Sequence, residues 1–435
     1  MKTIAVLGTG MAGLGAAHAL EGRDVQCVVY DKNPYYGGHT ASFVQPNGFL
    51  FDVGPHVSFT KDERIQALFA GNVCQKYEIL PARLNNYWHG YWITHPAQCN
   101  LYGLPTDLVV NIIRDFVEVH AQEPTEIHNY AEWLLAAYGR TFAETFPVVY
   151  GLKYHTTTPD NMATEWLGPR MYRPSLEEVL RGALAPEPIT EIHYVTGFRY
   201  PSYGGFVSFV KPVAERADVR LCHKMVALDT SKRTLRFANG AVHDYDQVVS
   251  SVPLPDLIPC IEDVPADVLE AAGRLAYTTV VMVNLGIDRP DLSTSHISYF
   301  YDEDVIFPRL SFPHKLSPHN VPDGMGSIQA ELYFSKKYRP LTCAPETLIP
   351  RVVSDLHKVG ILRESDSVVF QEARVAKYAN VIYDLERAEA LATVHGFLDE
   401  VGIHYCGRYG NWDHAWTDQS FASGERAAEA ALCAI

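Results

Sequence analysis

The sequence lacks several features that would assign it to a familiar class of protein. Its 435 residues contain no apolar run of about 18 residues, the length that a helix needs to cross a bilayer, and no N-terminal stretch that resembles a signal peptide. Acidic residues outnumber basic ones by 51 to 36, and the formal net charge of −15 argues against nucleic acid as a partner. We therefore expect a chain with neither a membrane span nor a nucleic-acid partner.

Paired cysteines are also missing. The eight cysteines are scattered without a C-x-x-C pair, and several lie in apolar runs such as VQCVVY. We expect reduced, mostly buried thiols and hence a cytoplasmic protein, and we predict no metal site. The hydrophobic content of 47% and the charged content of 20% are typical of a globular enzyme, and the length predicts two or three domains.

The first 31 residues contain a dinucleotide-binding pattern. An apolar strand, TIAVLG, meets an Ala- and Leu-rich helix through a G-x-G-x-x-G turn formed by Gly8, Gly10 and Gly13. Such glycines permit a tight turn, a close approach of pyrophosphate to the backbone, and close packing of helix on strand. The next apolar run ends at Asp31, where a carboxylate can accept hydrogen bonds from an adenosine ribose. This order of elements predicts a Rossmann-like α/β domain.

The residues after Asp31 favour FAD over NAD. A second glycine pair, Gly37 and Gly38, follows in DKNPYYGGHTASF. A NAD enzyme has no need of this pair, whereas in two-domain flavoproteins it lets the chain pass close to the flavin side of the pyrophosphate; a chance turn is the alternative. We predict FAD as the cofactor. Four further residues are expected around it: Ala12, Lys32, His39 and Pro55.

The C-terminal segment predicts the other end of the FAD site. GIHYCGRYGNWDHAWTDQSFASGERAAEAAL is typical of a strand, a loop and an Ala-rich helix. Asp418, Gln419 and Ser420 lie at the predicted start of that helix, whose N–H groups could hold the electron-rich carbonyl end of the flavin. An N-cap by Asp418 is the simpler interpretation, and both can hold. Gly407 and Arg408 in the loop are also expected at the cofactor.

The middle of the chain predicts two insertions into the FAD domain. RYPSYGGFVSFVKPVAERADVRLCHKMVALD is the expected return to that domain, with Met225 and Val226 near the adenine. Helical patterns such as PTDLVVNIIRDFVEVH precede it, and strand-like runs such as YTTVVMVNLGI follow it. We predict FAD-binding segments at 1–75, 196–255 and 381–435, a helical substrate domain at 76–195, and an antiparallel-sheet substrate domain at 256–380.

These motifs resemble those of a known group of FAD enzymes. The N-terminal glycine pattern, RYPSYGG and SGERAA are similar to the amine oxidase and protoporphyrinogen oxidase superfamily. Other stretches resemble the UDP-galactopyranose mutase branch: DVGPHVSFT, YWHGYWITHPAQCNLYGLP, TEWLGPR, SPHNVPDGMGSIQAE and GRYGNW. The resemblance covers nearly the whole chain. It implies a Rossmann-like FAD-binding domain (GR2-type) with inserted helical and antiparallel-sheet substrate domains.

The resemblance also implies a reaction. In such mutases N5 of the reduced flavin attacks the anomeric carbon of a nucleotide sugar, the nucleoside diphosphate leaves, and the ring recloses between pyranose and furanose without net redox change. Arginines suit the diphosphate because a planar, bidentate cation matches phosphate oxygens. The matching motifs imply Arg170, Arg309 and Arg408 at the diphosphate, His56 beside the flavin, Tyr383 near the substrate, and Tyr409 as a weaker candidate.

The sequence leaves two classes of reaction open. The first is a nucleotide-sugar mutase, an isomerase whose substrate is a nucleoside-diphosphate sugar and whose flavin takes electrons from NAD(P)H or another reductant. The second is an FAD oxidoreductase that removes hydride from a C–N or C–C bond of a small molecule. Lys153 and Lys211 are available as the flavin-facing lysine of an amine oxidase, although neither lies in a recognisable motif. A monomer or homodimer is expected in both cases.

Overall fold

A parallel sheet contains the strand that leads into the N-terminal glycine turn. The computed structural model describes residues 1–123, 126–189 and 195–435. Apolar runs such as TIAVL form central strands because both faces are covered, and Ile4, Ala5 and Val6 are at most 1% exposed. All neighbouring strands pair in parallel, in the order β19 (Ile403–Tyr405), β13 (Gln247–Ser250), β1 (Lys2–Leu7), β2 (Val25–Tyr30) and β9 (Asp218–Arg220). The predicted Rossmann-like α/β domain is confirmed.

Helices from the two ends of the chain pack together on this sheet. They are α1 (Met11–Leu20) and α15 (Thr417–Cys433), and their alanines share a core cluster with Ile4 and Val6. The helices approach so closely that two positions require glycine. A Cβ on Gly15 would lie 2.1 Å from the carbonyl oxygen of Phe421, and a Cβ on Gly424 would lie 1.8 Å from that of Ala12. This contact brings the C-terminal segment next to the N-terminal turn.

Short antiparallel units flank the parallel sheet. A three-stranded unit follows β9, and its second hairpin turns at Asn239 and Gly240, with Gly240 at φ 86°. Its strands are β10 (Met225–Asp229), β11 (Thr234–Phe237) and β12 (Val242–Asp244). Two antiparallel pairs complete this part of the molecule: β3 (Ser42–Val44) with β4 (Leu50–Asp52), and β5 (Tyr77–Pro81) with β8 (Gly197–Pro201).

A seven-stranded sheet forms the opposite side of the molecule. Its order is β18 (Val368–Val381), β14 (Tyr277–Ile287), β17 (Gly326–Phe334), β16 (Arg309–Ser311), β15 (Ile297–Phe300), β6 (Leu84–Trp88) and β7 (Tyr91–Thr94). Every neighbouring pair is antiparallel except β15 with β6. The last two strands come from the segment that the sequence predicts to be helical. They form a hairpin because aromatic residues flank a two-residue turn, His89 and Gly90, both at positive φ.

Helices fill the space between and around the sheets. The helical segment consists of α3 (Thr106–His120), α4 (Tyr130–Tyr138), α5 (Arg140–Thr145), α6 (Pro147–His155) and α7 (Leu176–Leu184). Residues 124–125 and 190–194 of the predicted helical substrate domain lie outside the described residues. The other helices are α2 (Glu63–Asn72), α8 (Lys211–Arg216), α9 (Leu254–Leu257), α10 (Ala266–Arg274), α11 (Pro313–Leu316), α12 (Ile349–Lys358), α13 (Arg387–Glu400) and α14 (Gly407–Gly410).

Two expectations from composition concern membrane-spanning helices and cysteines. Among the described residues, no helix combines the length and apolar character that a membrane crossing requires. All eight cysteines are free: Cys27, Cys74, Cys99, Cys222, Cys260, Cys343, Cys406 and Cys433. Only Cys99 and Cys406 are fully buried, so the prediction of mostly buried thiols is wrong for the exposed positions.

Candidate active site

A cavity of about 1240 Å³ extends from the N-terminal glycine turn to the helical segment. One wall comes from the parallel-sheet side, through Gly8, Gly10 and Asp31. A second wall comes from the last residues of β18, and the far end is closed by aromatic residues of α4, α5 and α6. A ligand bound at the glycine turn and a ligand bound between the helices would therefore share one continuous space.

The glycine turn has the geometry of a pyrophosphate cradle. Gly8 adopts φ 102°, and a Cβ on Gly13 would lie 1.8 Å from the carbonyl oxygen of Gly8, so both positions require glycine. At Gly10, by contrast, a Cβ would meet no described heavy atom within 4 Å and would point into open space. Helix α1 starts at the next residue without a side-chain cap, so its first N–H groups are available to an anion.

The second glycine pair packs against the N-terminal glycine turn. Gly37 and Gly38 have φ values of 99° and 55°, and a Cβ on Gly38 would lie 3.0 Å from Cα of Gly10. Asp31 is 8% exposed and accepts hydrogen bonds at 2.8 Å from the backbone N–H groups of Thr9 and Asn33. These bonds and one from the Thr9 hydroxyl use three of the roughly four acceptor positions of the carboxylate. One position is left for a ribose hydroxyl, so the residues present fit an adenosine diphosphate.

Most of the residues expected at FAD line the cavity. They are Gly8, Gly10, Ala12, Asp31, Lys32, Gly37, Gly38, His39, Pro55, Met225, Gly407, Arg408 and Ser420. Gly13 acts in packing instead, as described above. Val226 is 46% exposed on β10 and faces away from the neighbouring Met225, because successive side chains of a strand point to opposite faces. Its expected position near the adenine is not supported by this geometry.

The start of α15 corrects one part of the prediction. Ser420 lines the cavity together with Trp416 and Thr417, which sequence reasoning missed. Gln419 is exposed, and its Oε1 accepts the backbone N–H of Trp416 at 3.0 Å, so it caps the helix rather than contacting the cofactor. Asp418 lies in the first turn of α15 but is absent from the described cavity lining, and Trp416 rather than Asp418 is the N-cap residue.

Two histidines lie near the expected flavin position. Nδ1 of His56 donates to the carbonyl oxygen of Gly54 at 3.1 Å if that nitrogen carries the proton. Burial is the main cause that lowers the pKa of His56 to about 4, and the charges of Arg408 and Arg309 lower it further. Burial likewise lowers the pKa of His39 to about 3. Both imidazoles are therefore neutral near pH 7 and serve as hydrogen-bonding groups rather than as cations.

Arg408 and Arg170 both line the cavity, and both donate to backbone carbonyls of residues 414–415. Arg408 donates to the carbonyl oxygen of Ala415 at 2.9 and 3.0 Å, and to the carbonyl of Ala379 and Oδ1 of Asn380 at 3.3 Å. These acceptors are uncharged, so they hold the guanidinium in place without neutralising it. Arg170 donates to the carbonyl oxygen of His414, and its guanidinium carbon lies 4.7 Å from the Trp416 ring centroid.

Arg309 also lines the cavity, but it is paired with a carboxylate. Its Nε and Nη2 both donate to Glu331, the second bond being 2.8 Å long, and Nη2 also contacts the Tyr333 hydroxyl at 3.0 Å. Burial opposes the charge of Arg309, but Glu331 outweighs it and holds the pKa of the guanidinium well above its usual value. Sequence reasoning missed Glu331. The expected role of Arg309 at a diphosphate must be shared with this carboxylate.

Tyr383 lies behind the cavity wall. Its ring stacks under the guanidinium of Arg387, with 3.8 Å between the guanidinium carbon and the ring centroid, and its centroid is 4.8 Å from that of His414. His414 lines the cavity, whereas Tyr383 belongs to the core cluster around α10 and α13. The structure therefore does not support direct contact between Tyr383 and a substrate. Tyr409 does line the cavity, and its hydroxyl donates to the carbonyl oxygen of Tyr378 at 2.7 Å.

The far end of the cavity is rich in aromatic hydroxyls. Its lining includes Tyr130, Tyr138, Tyr150, Tyr154, His155, Trp166, Tyr299 and Tyr301. Of this set, none was singled out from the sequence, because the residues are spread over α4, α6, the loop around Trp166 and the end of β15, and no short motif joins them. Such a chamber combines apolar walls with a few polar atoms that can orient a ligand.

The two lysines considered for an amine oxidase lie elsewhere. Nζ of Lys153 donates to the carbonyl oxygens of Asp302 and Phe300 at 2.9 and 3.2 Å, and burial lowers the pKa of Lys153 to about 7. Lys211 is 55% exposed on α8, with Nζ 3.7 Å from Oε1 of Glu215. Neither residue is part of the described cavity lining. The structure therefore does not support either as a flavin-facing lysine.

Comparison with known families agrees with this geometry. Residues 6–71 match the NAD(P)-binding Rossmann-like domain, and residues 120–432 match the flavin containing amine oxidoreductase family. The second match spans most of the chain, which therefore belongs to the family of flavin-containing amine oxidoreductases. FAD is its cofactor, as the glycine motifs predict.

Within that class the chain is similar to a solved structure of reduced UDP-galactopyranose mutase. The two are 25% identical, the match covers 100% of this chain and 96% of the other, and the TM-score is 0.94. A putative protoporphyrinogen oxidase from Exiguobacterium shares 16% identity over 99% of this chain and 98% of its own length, with a TM-score of 0.75, and shows the fold alone. The predicted resemblance to the mutase branch is confirmed.

Curated relatives match over a short stretch. A 4,4'-diapophytoene desaturase of Staphylococcus haemolyticus is 39% identical over 59 residues, 14% of this chain. A probable zeta-carotene desaturase of Synechococcus elongatus is 35% identical over 65 residues, 15% of this chain. The matched stretches span 12% and 14% of these relatives' own lengths.

Proposed function

We propose that this flavoenzyme is a nucleotide-sugar mutase that interconverts pyranose and furanose forms. The observation that carries the proposal is that Arg408 and Arg170 line the same cavity as the FAD cradle, and that the acceptors holding Arg408 among the described residues are uncharged. The full-length similarity to reduced UDP-galactopyranose mutase supports it. When bound and reduced, FAD supplies an electron-rich centre toward the anomeric carbon of the sugar.

The arginines bind and orient the diphosphate in this proposal. Negative charge collects on the diphosphate as the glycosidic bond breaks, so a fixed guanidinium stabilises the departing group more than the bound substrate. Arg408 suits this role because four hydrogen bonds fix its position before substrate arrives. Arg170 provides a second cation on the same side, held against the Trp416 ring.

Arg309 has a different proposed role. Since Glu331 already neutralises it, the pair presents little net charge to the cavity. Glu331 is 2% exposed, and its Oε1 lies 3.6 Å from the position of a Cβ on Gly54, close to His56. We propose that the pair orients hydroxyl groups of the sugar near the flavin, through the free lone pairs of the carboxylate and the unused N–H groups of the guanidinium.

An FAD oxidoreductase is the second candidate. The matched family is one of amine oxidoreductases, and the neutralised Arg309 weakens the case for a diphosphate at that position. A substrate of this class has no diphosphate, so it gives the guanidinium of Arg408 no specific partner. The tyrosine-lined chamber would then hold the whole substrate.

Nucleotide titration distinguishes the two candidates. UDP is titrated into the purified holoprotein by isothermal calorimetry, once oxidised and once reduced anaerobically with dithionite. The mutase proposal predicts UDP binding that becomes tighter on reduction. Absence of UDP and TDP binding to the reduced protein at millimolar ligand overturns it in favour of the oxidoreductase, for which amines are then tested as flavin reductants.

A further inference from the structure

His155, the last residue of α6, is a buried histidine that lines the cavity. Its side chain is 4% exposed, and Nδ1 has no hydrogen-bond partner among the residues that the structure describes. Buried polar atoms in proteins nearly always have a partner, and an unsatisfied one destabilises the fold. Nδ1 is enclosed by protein, so a ligand in the cavity reaches the ring through Nε2, which also has no hydrogen-bond partner among the described residues. An imidazole beside a cavity with both nitrogens unpaired therefore indicates that a ligand completes its hydrogen bonding.

The backbone next to His155 is held in an unfavourable conformation. Thr156 ends α6 at φ 65°, in the left-handed region that a β-branched residue rarely adopts. Its hydroxyl hydrogen-bonds to the Ser335 hydroxyl at 2.8 Å, which ties the helix end to the residue that follows β17. Strain of this kind persists where surrounding structure fixes it and is common at ligand sites. The position of the imidazole is thus set before a ligand binds.

Aromatic rings surround the imidazole on two sides. The ring centroids of Tyr154 and Trp166 both lie 5.0 Å from that of His155. Beyond Tyr154 is Arg309, with its guanidinium carbon 5.7 Å from the Tyr154 centroid, and beyond Trp166 is His414 at 5.8 Å. Arg170 donates to the carbonyl oxygen of His414, so His155 lies between Arg309 on one side and Arg170 on the other. An uncharged ligand group suits this setting, since the guanidinium groups provide better sites for phosphate.

We propose that His155 is a specificity residue that hydrogen-bonds a hydroxyl of the glycosyl group of the nucleotide sugar. This inference rests on the mutase proposed above. Nε2 of a neutral imidazole is either an N–H donor or an acceptor, and a sugar hydroxyl can pair with it in both forms. Burial lowers the pKa of His155 to about 3, which keeps the ring in that neutral form. The flanking aromatic rings cover the apolar faces of the sugar.

Two substitutions and two ligands test this inference. His155→Phe keeps a flat ring but removes both nitrogens, whereas His155→Gln keeps polar atoms near the position of Nε2. Affinities for UDP and for UDP-galactopyranose are measured on the reduced holoproteins. We expect His155→Phe to weaken UDP-galactopyranose binding about 2- to 12-fold, the range of one neutral hydrogen bond, and to leave UDP binding unchanged. His155→Gln should recover part of the loss.

A stability measurement separates a ligand contact from a structural role. Because Nδ1 is unpaired, His155→Phe should leave the thermal midpoint of the ligand-free holoprotein unchanged or raise it. The matched control is His395→Phe on α13, whose Nε2 is 2.9 Å from the carbonyl oxygen of Gly410. The control should lower the midpoint and leave both affinities unchanged.

Three outcomes overturn the inference. An equal loss of UDP and UDP-galactopyranose affinity in His155→Phe would place the contact on the nucleotide. Unchanged affinities with a lower thermal midpoint would make His155 structural. Failure of the wild-type protein to bind either ligand would remove the mutase proposal and this inference with it, and is recognised because it requires no substitution.

Discussion

Arg309 on β16 and Glu331 on β17 are direct partners across two antiparallel strands, and their side chains form a two-pronged ion pair inside the cavity. The strand register places them opposite each other, so the pair is built into the sheet. A substrate that enters the cavity meets an arginine whose charge is already balanced. The pair therefore affects both stability and ligand choice.

Removing one member of this pair should destabilise the protein. Arg309→Ala leaves Glu331 as an unpaired carboxylate that is 2% exposed, and breaking such a buried pair costs about 3–5 kcal/mol. Urea unfolding of the holoprotein measures this loss. The double variant Arg309→Met/Glu331→Leu should recover most of it, because both charges are then absent. Equal stabilities of the single and double variants would show that the two residues are not coupled.

Arg408 should contribute to nucleotide affinity without affecting the flavin spectrum. A charge-assisted hydrogen bond contributes about 1.5–3 kcal/mol, so Arg408→Ala should weaken UDP binding to the reduced protein roughly 10- to 150-fold. Arg408→Lys should recover only part of the loss, since a point charge cannot match two phosphate oxygens. Arg140→Ala is the control, because Arg140 is 69% exposed on α5. Unchanged affinity in Arg408→Ala would refute the assigned role.

Gly10 offers a specific test of the FAD cradle. A side chain at this position meets open space in the protein, so Gly10→Val should fold but occupy the place of the pyrophosphate. We expect the purified variant to lack the yellow colour of the wild type and its FAD absorbance. Gly396→Val on α13 is the control, since its Cβ also has no described neighbour within 4 Å but lies away from the cavity. Full flavin content in Gly10→Val would contradict the cradle.

Three buried histidines predict a loss of stability in mild acid. Burial lowers the pKa of His155 to about 3 and those of His296 and His314 to about 4, all below the ordinary value of 6.5. The unfolded chain then binds more protons than the folded one below pH 6.5. The contribution of these histidines to the free energy of unfolding is therefore fully present above pH 6.5 and is lost progressively toward pH 4. Asp52 acts oppositely, because burial raises its pKa to about 6.

Thermal midpoints measured between pH 7.5 and 4.5 test whether stability falls as the pH is lowered. His296 is the most informative position, since its Nδ1 accepts the backbone N–H of Arg83 at 3.2 Å and must stay unprotonated. His296→Asn retains an acceptor that does not titrate, so its midpoint should fall less steeply below pH 6.5 than that of the wild type. A midpoint that rises as the pH falls would contradict the account.

The sequence predicted the cofactor half of the site better than the substrate half, for a physical reason. Gly8, Gly10 and Asp31 are close in sequence, so local rules for turns and strands identify their role. The pairing of Arg309 with Glu331 depends on the register of β16 against β17, which a motif does not specify. Sequence reasoning therefore assigned the full charge of Arg309 to a diphosphate.

Tyr383 and His155 also show that sequence motifs do not determine which side chains line the cavity. Tyr383 matches a family position, but the chain after β18 turns it against Arg387 and away from the cavity. His155 belongs to no motif and lines the cavity because α6 ends there. A side chain's direction depends on tertiary packing, and neither case could be derived from spacing along the chain.

Interconversion of UDP-galactopyranose and UDP-galactofuranose by the reduced holoprotein is the most direct test of the proposed function. The protein is reduced with dithionite under anaerobic conditions, incubated with one isomer, and the nucleotide sugars are separated by chromatography. The mutase proposal predicts that the other isomer appears, that total UDP-sugar is conserved, and that the oxidised protein is inactive. Recovery of the starting isomer alone, together with flavin reduction by an amine or an unsaturated hydrocarbon precursor, would contradict it.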